Sequence, residues 1–384
     1  MPDEAPGPLA GLRVVACARD VGAAYAARML ATMGAHVTLV EPPEGCPLRR
    51  EPPFLPGEES ETVSALFAYL AAGMESATIA LDMSAGRDSL RDLLSQADVL
   101  IDDTPVMQRA ALGLDPEALA GDFANLVHAS ALPFGASGPK AGWRGEDIVV
   151  QHAGGEGYLL PNGLAVEMFP DRPPLRIAGH FGAMQGGIAA ALGILAALWV
   201  RPECGGQYVD VSAQDANLAV GAFAIQRLGD GSVEHRVDRS FRYGGVIPCA
   251  DGHLELLTLE QRQWEGLVEL LGSPEWARDP ALDDGLERSR RGAEINGHIR
   301  EWASQRKVDD IVAAGQKLGV PLARYNSPAE ILADPQASHR KLFQPVPLAG
   351  SGELDVLVSP FHFDGAPLAL RGGPPALALA EETA

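Results

Sequence analysis

The sequence is short of positive charge. Its 384 residues carry 30 Lys and Arg against 51 Asp and Glu, a formal net charge of −21. Nonspecific binding to nucleic acid or to an anionic membrane surface needs a basic face, so neither partner is expected. Cysteine is also scarce. Cys17, Cys46, Cys204 and Cys249 lie far apart, with no CxxC pair and no Cys/His cluster at metal-ligand spacing, which predicts a reducing compartment and no metal site. The amino terminus, Met1-Pro2-Asp3-Glu4-Ala5-Pro6, lacks the basic and apolar regions of a signal peptide, so a cytoplasmic location is expected. A membrane-length apolar run is missing as well. Between Phe181 and Val200, Gln185 and the glycines 182, 186, 187 and 193 dilute the apolarity. The unbroken stretch 188–200 falls short of about 18–20 residues, and a buried helix is predicted there.

What is present is a core-forming composition, 46% hydrophobic and 21% charged, in a chain long enough for about two domains. Residues 12–18 form a β-rich run, 25–34 has helical spacing ending in Gly34, and 36–40 is a second strand closed by Glu41. Strand, helix and strand in so short a span make a βαβ unit and imply a parallel sheet with a right-handed crossover. The pattern recurs with a strand at 76–81, a helix at 86–96 and strands at 97–101 and 126–131. A long glycine-rich loop containing Asp147 is predicted from 135 to 163, and long loops of this kind are often functional. Residues 208–212 read as a further strand. From about 229 to 330 the pattern changes to a hairpin near 248–259 and helices at 263–271 and 299–318. The predicted fold class is therefore α/β, with a large domain over 1–228, a smaller α+β domain over 229–330, and a return to the large domain over 331–384.

Several standard chemistries lack their residues. The first strand-to-helix turn, Ala18-Arg19-Asp20-Val21-Gly22-Ala23, has no GxGxxG, so the backbone approach that dinucleotides require is absent although Glu41 stands where a ribose would be held. The same turn is either an ordinary connection or a helix amino terminus whose free N–H groups hold another anion. No phosphate loop of the GxxxxGK[ST] type and no GxSxG nucleophile elbow occur. Cys17 sits inside an apolar strand and is read as packing. His152, His180 and His253 are lone histidines, read as polar contacts or surface groups. Glu146 and Asp147 place two carboxyl groups in the glycine-rich loop, where one could act as nucleophile or base.

Several segments together resemble the class III CoA-transferases, the superfamily of formyl-CoA transferase, carnitine CoA-transferase and α-methylacyl-CoA racemase. They are Gly11-Leu12-Arg13-Val14-Val15, Met33-Gly34-Ala35-His36-Val37, Ala97-Asp98-Val99-Leu100-Ile101, Leu112-Gly113-Leu114-Asp115, Gly193-Ile194-Leu195-Ala196-Ala197-Leu198, Gly206-Gln207-Tyr208-Val209-Asp210-Val211-Ser212 and Ile331-Leu332-Ala333-Asp334-Pro335-Gln336. The resemblance implies a Rossmann-like large domain, an interlocked dimer and coenzyme A as a substrate. It also implies an Asp nucleophile that passes through a mixed anhydride and an enzyme thioester, which splits one acyl transfer into easier steps.

Carried over residue by residue, the resemblance places Ala183 where the nucleophile belongs, with Gly187 in register, and an alanine methyl has no lone pair with which to attack. Asp147, in Gly145-Glu146-Asp147 followed by Gln151, takes the family's second carboxylate position and is read as organising its loop rather than as a base. The racemase branch uses a His/Asp pair at the positions of Glu146 and Ala183, which this chain lacks. Asp20, Val21 and Gly22 fall in the turn against the CoA adenine and phosphates, and Arg49 and Arg109 match basic nucleotide contacts. A Lys-Arg pair of the family is replaced by Met74-Glu75, which predicts weakened CoA binding. The resulting expectation is the non-nucleophilic subunit of a heteromeric CoA-transferase, partnered by a homologous subunit that retains Asp, or else a homodimer. The alternatives are a rewired acyl enzyme using Asp147, Glu146 or His180, and a non-catalytic ligand-binding or scaffold protein.

Overall fold

In a computed structural model of the chain, residues 7–55, 64–155, 157, 160, 173, 175–221, 243–348 and 352–377 are described. The chain divides into two units. The first takes residues 1–156, 176–222 and 334–384, and the second takes 157–175 and 223–333.

The first unit is built on a six-stranded parallel sheet of β1 (Arg13–Cys17), β2 (His36–Glu41), β3 (Glu75–Thr78), β4 (Val99–Asp102), β5 (Val127–Leu132) and β6 (Tyr208–Ser212). Its spatial order is β3-β2-β1-β4-β5-β6. The register pairs Val14 with Val37 on one side of β1 and Cys17 with Asp102 on the other. The order reverses at β1, so the crossovers from β1 and β4 leave in opposite directions and open a crevice above the carboxyl ends of those two strands. In open α/β sheets that crevice is where ligands bind.

Side chains alternate across the sheet. Val14, Ala16, Val99, Ile101, Val127 and Ala129 face one core together with α1 (Val21–Thr32) and the long α7 (Phe181–Cys204). Val15, Cys17 and Leu100 face a second core with Leu90 and Leu94 of α3 (Ser84–Leu94) and with Leu119 of α5 (Pro116–Asp122). Between these helices of the second face lies α4 (Val106–Leu112). Helix α2 (Ala65–Ala71) precedes β3.

Alanine and glycine let α1 and α7 approach closely. A Cβ on Gly187 would lie 2.5 Å from the Gly22 carbonyl oxygen, so only glycine fits there. Helix α7 is longer than the apolar run read from the sequence, and by length and composition it could cross a membrane. The buried helix expected here is buried along one face. Gly182, Gly186, Gly187, Ala190, Ala191, Ile194 and Ala197 are buried, whereas Ile188, Leu192 (68% exposed) and Trp199 (86% exposed) form an apolar stripe on the other face.

The glycine-rich stretch is not the continuous loop expected, because α6 (Asp147–Ala153) forms within it. The end of that stretch lies outside the described residues. The carboxyl-terminal strands β10 (Phe343–Leu348) and β11 (Gly352–Leu357) pair as an antiparallel hairpin. Arg28 of α1, buried, donates to the carbonyls of Ala72 and Leu357.

The second unit holds a three-stranded antiparallel sheet of β7 (Gly245–Cys249), β8 (Gly252–Leu256) and β9 (Leu322–Arg324). With it lie the helices Gln261–Leu270, Gly292–Ala303 and Val308–Lys317 around a core of Ile247, Leu254, Trp264, Ile295 and Ile311. The predicted hairpin and the helix at 263–271 fall on these elements, whereas the single helix expected over 299–318 is two, Gly292–Ala303 and Val308–Lys317, with a break between them.

Candidate active site

Three helix amino termini gather in the first unit. Helix α6 begins at Asp147, α7 at Phe181 and α1 at Val21. Asp147 Oδ1 accepts the Ala183 backbone N–H at 2.9 Å, which caps the first turn of α7. Four residues along α6, the buried Gln151 accepts the Ile177 N–H through Oε1 at 2.9 Å. One face of α6 thus holds both ends of the segment leading into α7. Asn217 of α8 (Ala213–Val220) fixes the same turn by donating to the Gly182 carbonyl at 2.9 Å. Gly182 is required for the approach, since a Cβ there would lie 3.0 Å from the Asp147 carbonyl oxygen and 3.3 Å from Oδ1. A Cβ on Gly22 would lie 3.1 Å from the Ala183 carbonyl oxygen, which ties the turn after β1 to the same place.

The structure therefore brings Asp147, Ala183 and Gly22 together. Asp20 is the N-cap residue of α1, but its side chain makes no capping bond. Glu146 and His180 are the N-cap residues of α6 and α7, also without side-chain capping bonds. Burial, then the nearby Glu146 and Glu51, push the Asp20 carboxyl up against the opposing pull of Arg19.

Arg49 and Arg109 are committed elsewhere. Arg49 grips Glu41 through Nε and Nη2, each at 2.6 Å, donates to the Pro375 carbonyl, and stacks on Phe67 with 4.1 Å to the ring centre. Glu41 is fully buried and also accepts from Ser76 Oγ and the Cys46 N–H. Burial opposes its ionisation, yet Arg49, Ser76 and Cys46 outweigh that and hold the carboxyl below the usual range. Glu41 is therefore the counter-ion of Arg49, and it draws off charge that a phosphate would need.

Arg109, 3% exposed, donates to the Thr104 carbonyl, Tyr208 Oη and Ser130 Oγ. His128 and Ser130 both reach Asp102 Oδ2, at 2.7 and 3.2 Å. By the pleat of β4 and β5, this network lies on the opposite face of the sheet from α1 and α7. Burial works against the Asp102 charge, but the His128 hydrogen bond and charge together with Arg109 hold its carboxyl below the usual range.

Sequence reading missed Asp103, Asn217 and the Asp102, His128 and Ser130 side chains that surround Arg109. Those residues carry no motif, and only the fold brings them together. Met74 is buried in the main core, while Glu75 faces solvent and pairs with His36 at 3.3 Å.

A parallel sheet in this order, with helices on both of its faces, defines a doubly wound α/β protein. The sequence profile described as CoA-transferase family III matches residues 9–379, and the chain belongs to that family. It is 30% identical over 345 residues to the succinyl-CoA:(R)-benzylsuccinate CoA-transferase subunit BbsE of Thauera aromatica, covering 86% of this chain and 82% of that one. It is 34% identical over 317 residues to "Probable CoA-transferase Rv1866" of Mycobacterium tuberculosis, which covers 80% of this chain but only 38% of that much longer protein. Among solved structures, a CaiB/BaiF family protein from Brucella suis superposes with a TM-score of 0.84 at 29% identity, covering 97% of each chain.

Proposed function

We propose that this chain is the non-nucleophilic subunit of a heteromeric CoA-transferase, acting with a homologous subunit that carries Asp at the position of Ala183. One observation carries the reading: the frame around residue 183 is intact, but the side chain there is a methyl. The Asp147 cap, the Gly22 approach and the glycine in register at 187 are all present. A frame kept without its reacting group suits a chain that shapes or completes a site used by a partner. BbsE, a relative of this chain, is by its name a subunit of a CoA-transferase, and the exposed stripe of Ile188, Leu192 and Trp199 offers apolar surface to a second chain.

The rewired-enzyme alternative is less well supported. One oxygen of Asp147 is bonded to Ala183 and the other is shielded from solvent, so neither is presented to a thioester. The substrate class remains an acyl-CoA and a carboxylic acid. Purified alone, the chain is expected to transfer no CoA between the two at enzymatic rates, and co-purified with an Asp-bearing family member it is expected to support turnover above that of the partner alone. Turnover by the isolated chain at enzymatic rates overturns the reading.

A further inference from the structure

In the first unit one cation stands against two aromatic rings. Lys140, in the loop between β5 and α6, holds its Nζ 5.4 Å from the ring centre of Phe134 and 5.5 Å from that of Trp143. The two rings meet edge to face with their centres 6.0 Å apart. Lys140 Nζ donates to Gln214 Oε1 of α8 at 3.3 Å, and among the described residues no carboxylate pairs with it. An ammonium has three donors, so one amide oxygen leaves most of its capacity open to an anion. Arg49 and Arg109, in contrast, are taken up by partners of their own.

Hydrogen bonds fix the loop. The Gln214 N–H donates to the Pro133 carbonyl at 3.0 Å, the Ala136 N–H to Asp210 Oδ1 of β6 at 2.7 Å, and the Trp143 N–H to the Lys140 carbonyl at 2.9 Å. The loop also packs toward residue 183. A Cβ on Gly145 would lie 3.1 Å from Phe134 Cε2 and 3.2 Å from Val150 Cγ1, and a Cβ on Gly182 would lie 3.1 Å from Val150 Cγ2. Phe134, Gly145, Val150 and Gly182 therefore pack in succession and lead to Ala183. Trp143 is 61% exposed, which leaves indole surface in water next to an unmatched positive charge. That pair is complementary to an acid with an aromatic body, since the carboxylate meets the ammonium and the ring meets the indole. In a chain of net charge −21, a local cation favours the approach of a carboxylate.

We propose that Lys140 and Trp143 select the carboxylic acid of the reaction and that this acid is aromatic: Lys140 takes a carboxylate of the acid and Trp143 packs on its ring. The proposal rests on the reading of the chain as part of a CoA-transferase, and it names the class of acid which that reading leaves open.

Calorimetric titration of the full chain with 3-phenylpropanoate tests it, with propanoate and 3-phenylpropanamide as probes that lack the ring and the charge. The wild type is expected to bind 3-phenylpropanoate at least about tenfold more tightly than either. Lys140→Gln is expected to lose at least about tenfold and Trp143→Ala about threefold to tenfold, whereas Lys140→Arg keeps most of the affinity. Gln214→Ala cuts the tie between the loop and α8 but keeps the ammonium, and it is expected to bind as the wild type does. Thermal unfolding checks that each variant is folded. No binding by the folded wild type, or equal affinity in wild type, Lys140→Gln and Trp143→Ala, overturns the proposal. CoA also carries an aromatic ring beside anions, so it is titrated alone and in the presence of 3-phenylpropanoate. Its affinity is expected to be unchanged in Lys140→Gln. Displacement of 3-phenylpropanoate by CoA, with both affinities falling together in Lys140→Gln, gives the cluster to CoA and overturns the assignment to the acid. Lys140-dependent binding of the acid by a chain that gives no turnover with an Asp-bearing partner leaves this proposal standing and overturns the CoA-transferase subunit reading.

Discussion

Asp147 and Ala183, thirty-six residues apart in sequence, meet through one hydrogen bond in which the Ala183 N–H donates to Asp147 Oδ1 at 2.9 Å. A carboxylate at the first position of α6 thereby caps α7, and its charge sits at two helix amino termini, where a negative group is favoured. Asp147→Ala leaves the Ala183 N–H without its acceptor and is expected to cost about 1–3 kcal/mol in urea unfolding. Asp147→Asn retains an acceptor oxygen and costs less than about 1 kcal/mol. Equal loss in the two variants would show that the carboxamide does not replace the cap.

Arg49 and Glu41 make a second prediction. Removing the guanidinium leaves a buried carboxylate with only Ser76 and the Cys46 N–H, so Arg49→Ala is expected to destabilise by about 3–5 kcal/mol near neutral pH. The sign with pH follows from the lowered Glu41 pKa. The contribution is present above the ordinary glutamate value of about 4.3, and it fades as pH falls through the lower folded value. Denaturation of wild type and Glu41→Gln across that window should converge on acidification, and a constant gap would contradict the assignment.

Glu75 offers a gain-of-binding test. The resemblance places a Lys-Arg pair at Met74 and Glu75, but Met74 is packed in the core, and a lysine there would bury a charge. Glu75 faces solvent, and its partnership with His36 is exposed and worth little. Glu75→Arg is therefore expected to leave the melting temperature within about 2 °C. It should tighten CoA binding by about tenfold, the low end of one charge-assisted contact. Unchanged affinity in a folded variant would remove this position from the CoA site.

The sheet was legible because its strands are apolar runs separated by amphipathic helices, and the pattern around 13–17, 36–41 and 127–132 survives tertiary packing almost unshifted. Helix α6 was hidden because its residues follow a stretch rich in glycine and proline, and its stability comes from packing against α7 and α8 rather than from its seven residues. The exposed stripe of α7 was hidden for the opposite reason, since an apolar sequence reads as buried on every side. Ala183 and Asp147 were found from the order of short segments. Sequence, however, could not show that Arg49 is matched to Glu41, or that Arg109 lies on the far face of the sheet. Those facts depend on strand pleat and on contacts between residues far apart in the chain.

The central claim is that the site is framed for acyl transfer but lacks the attacking carboxylate. Intact-mass measurement after incubation with an acyl-CoA, with hydroxylamine trapping, tests it most directly on wild type and Ala183→Asp. The account predicts no covalent acyl or CoA adduct on the wild-type chain, and an adduct mapped to residue 183 in the variant. An adduct on the wild-type chain, at Asp147 or at any other carboxylate, would contradict it.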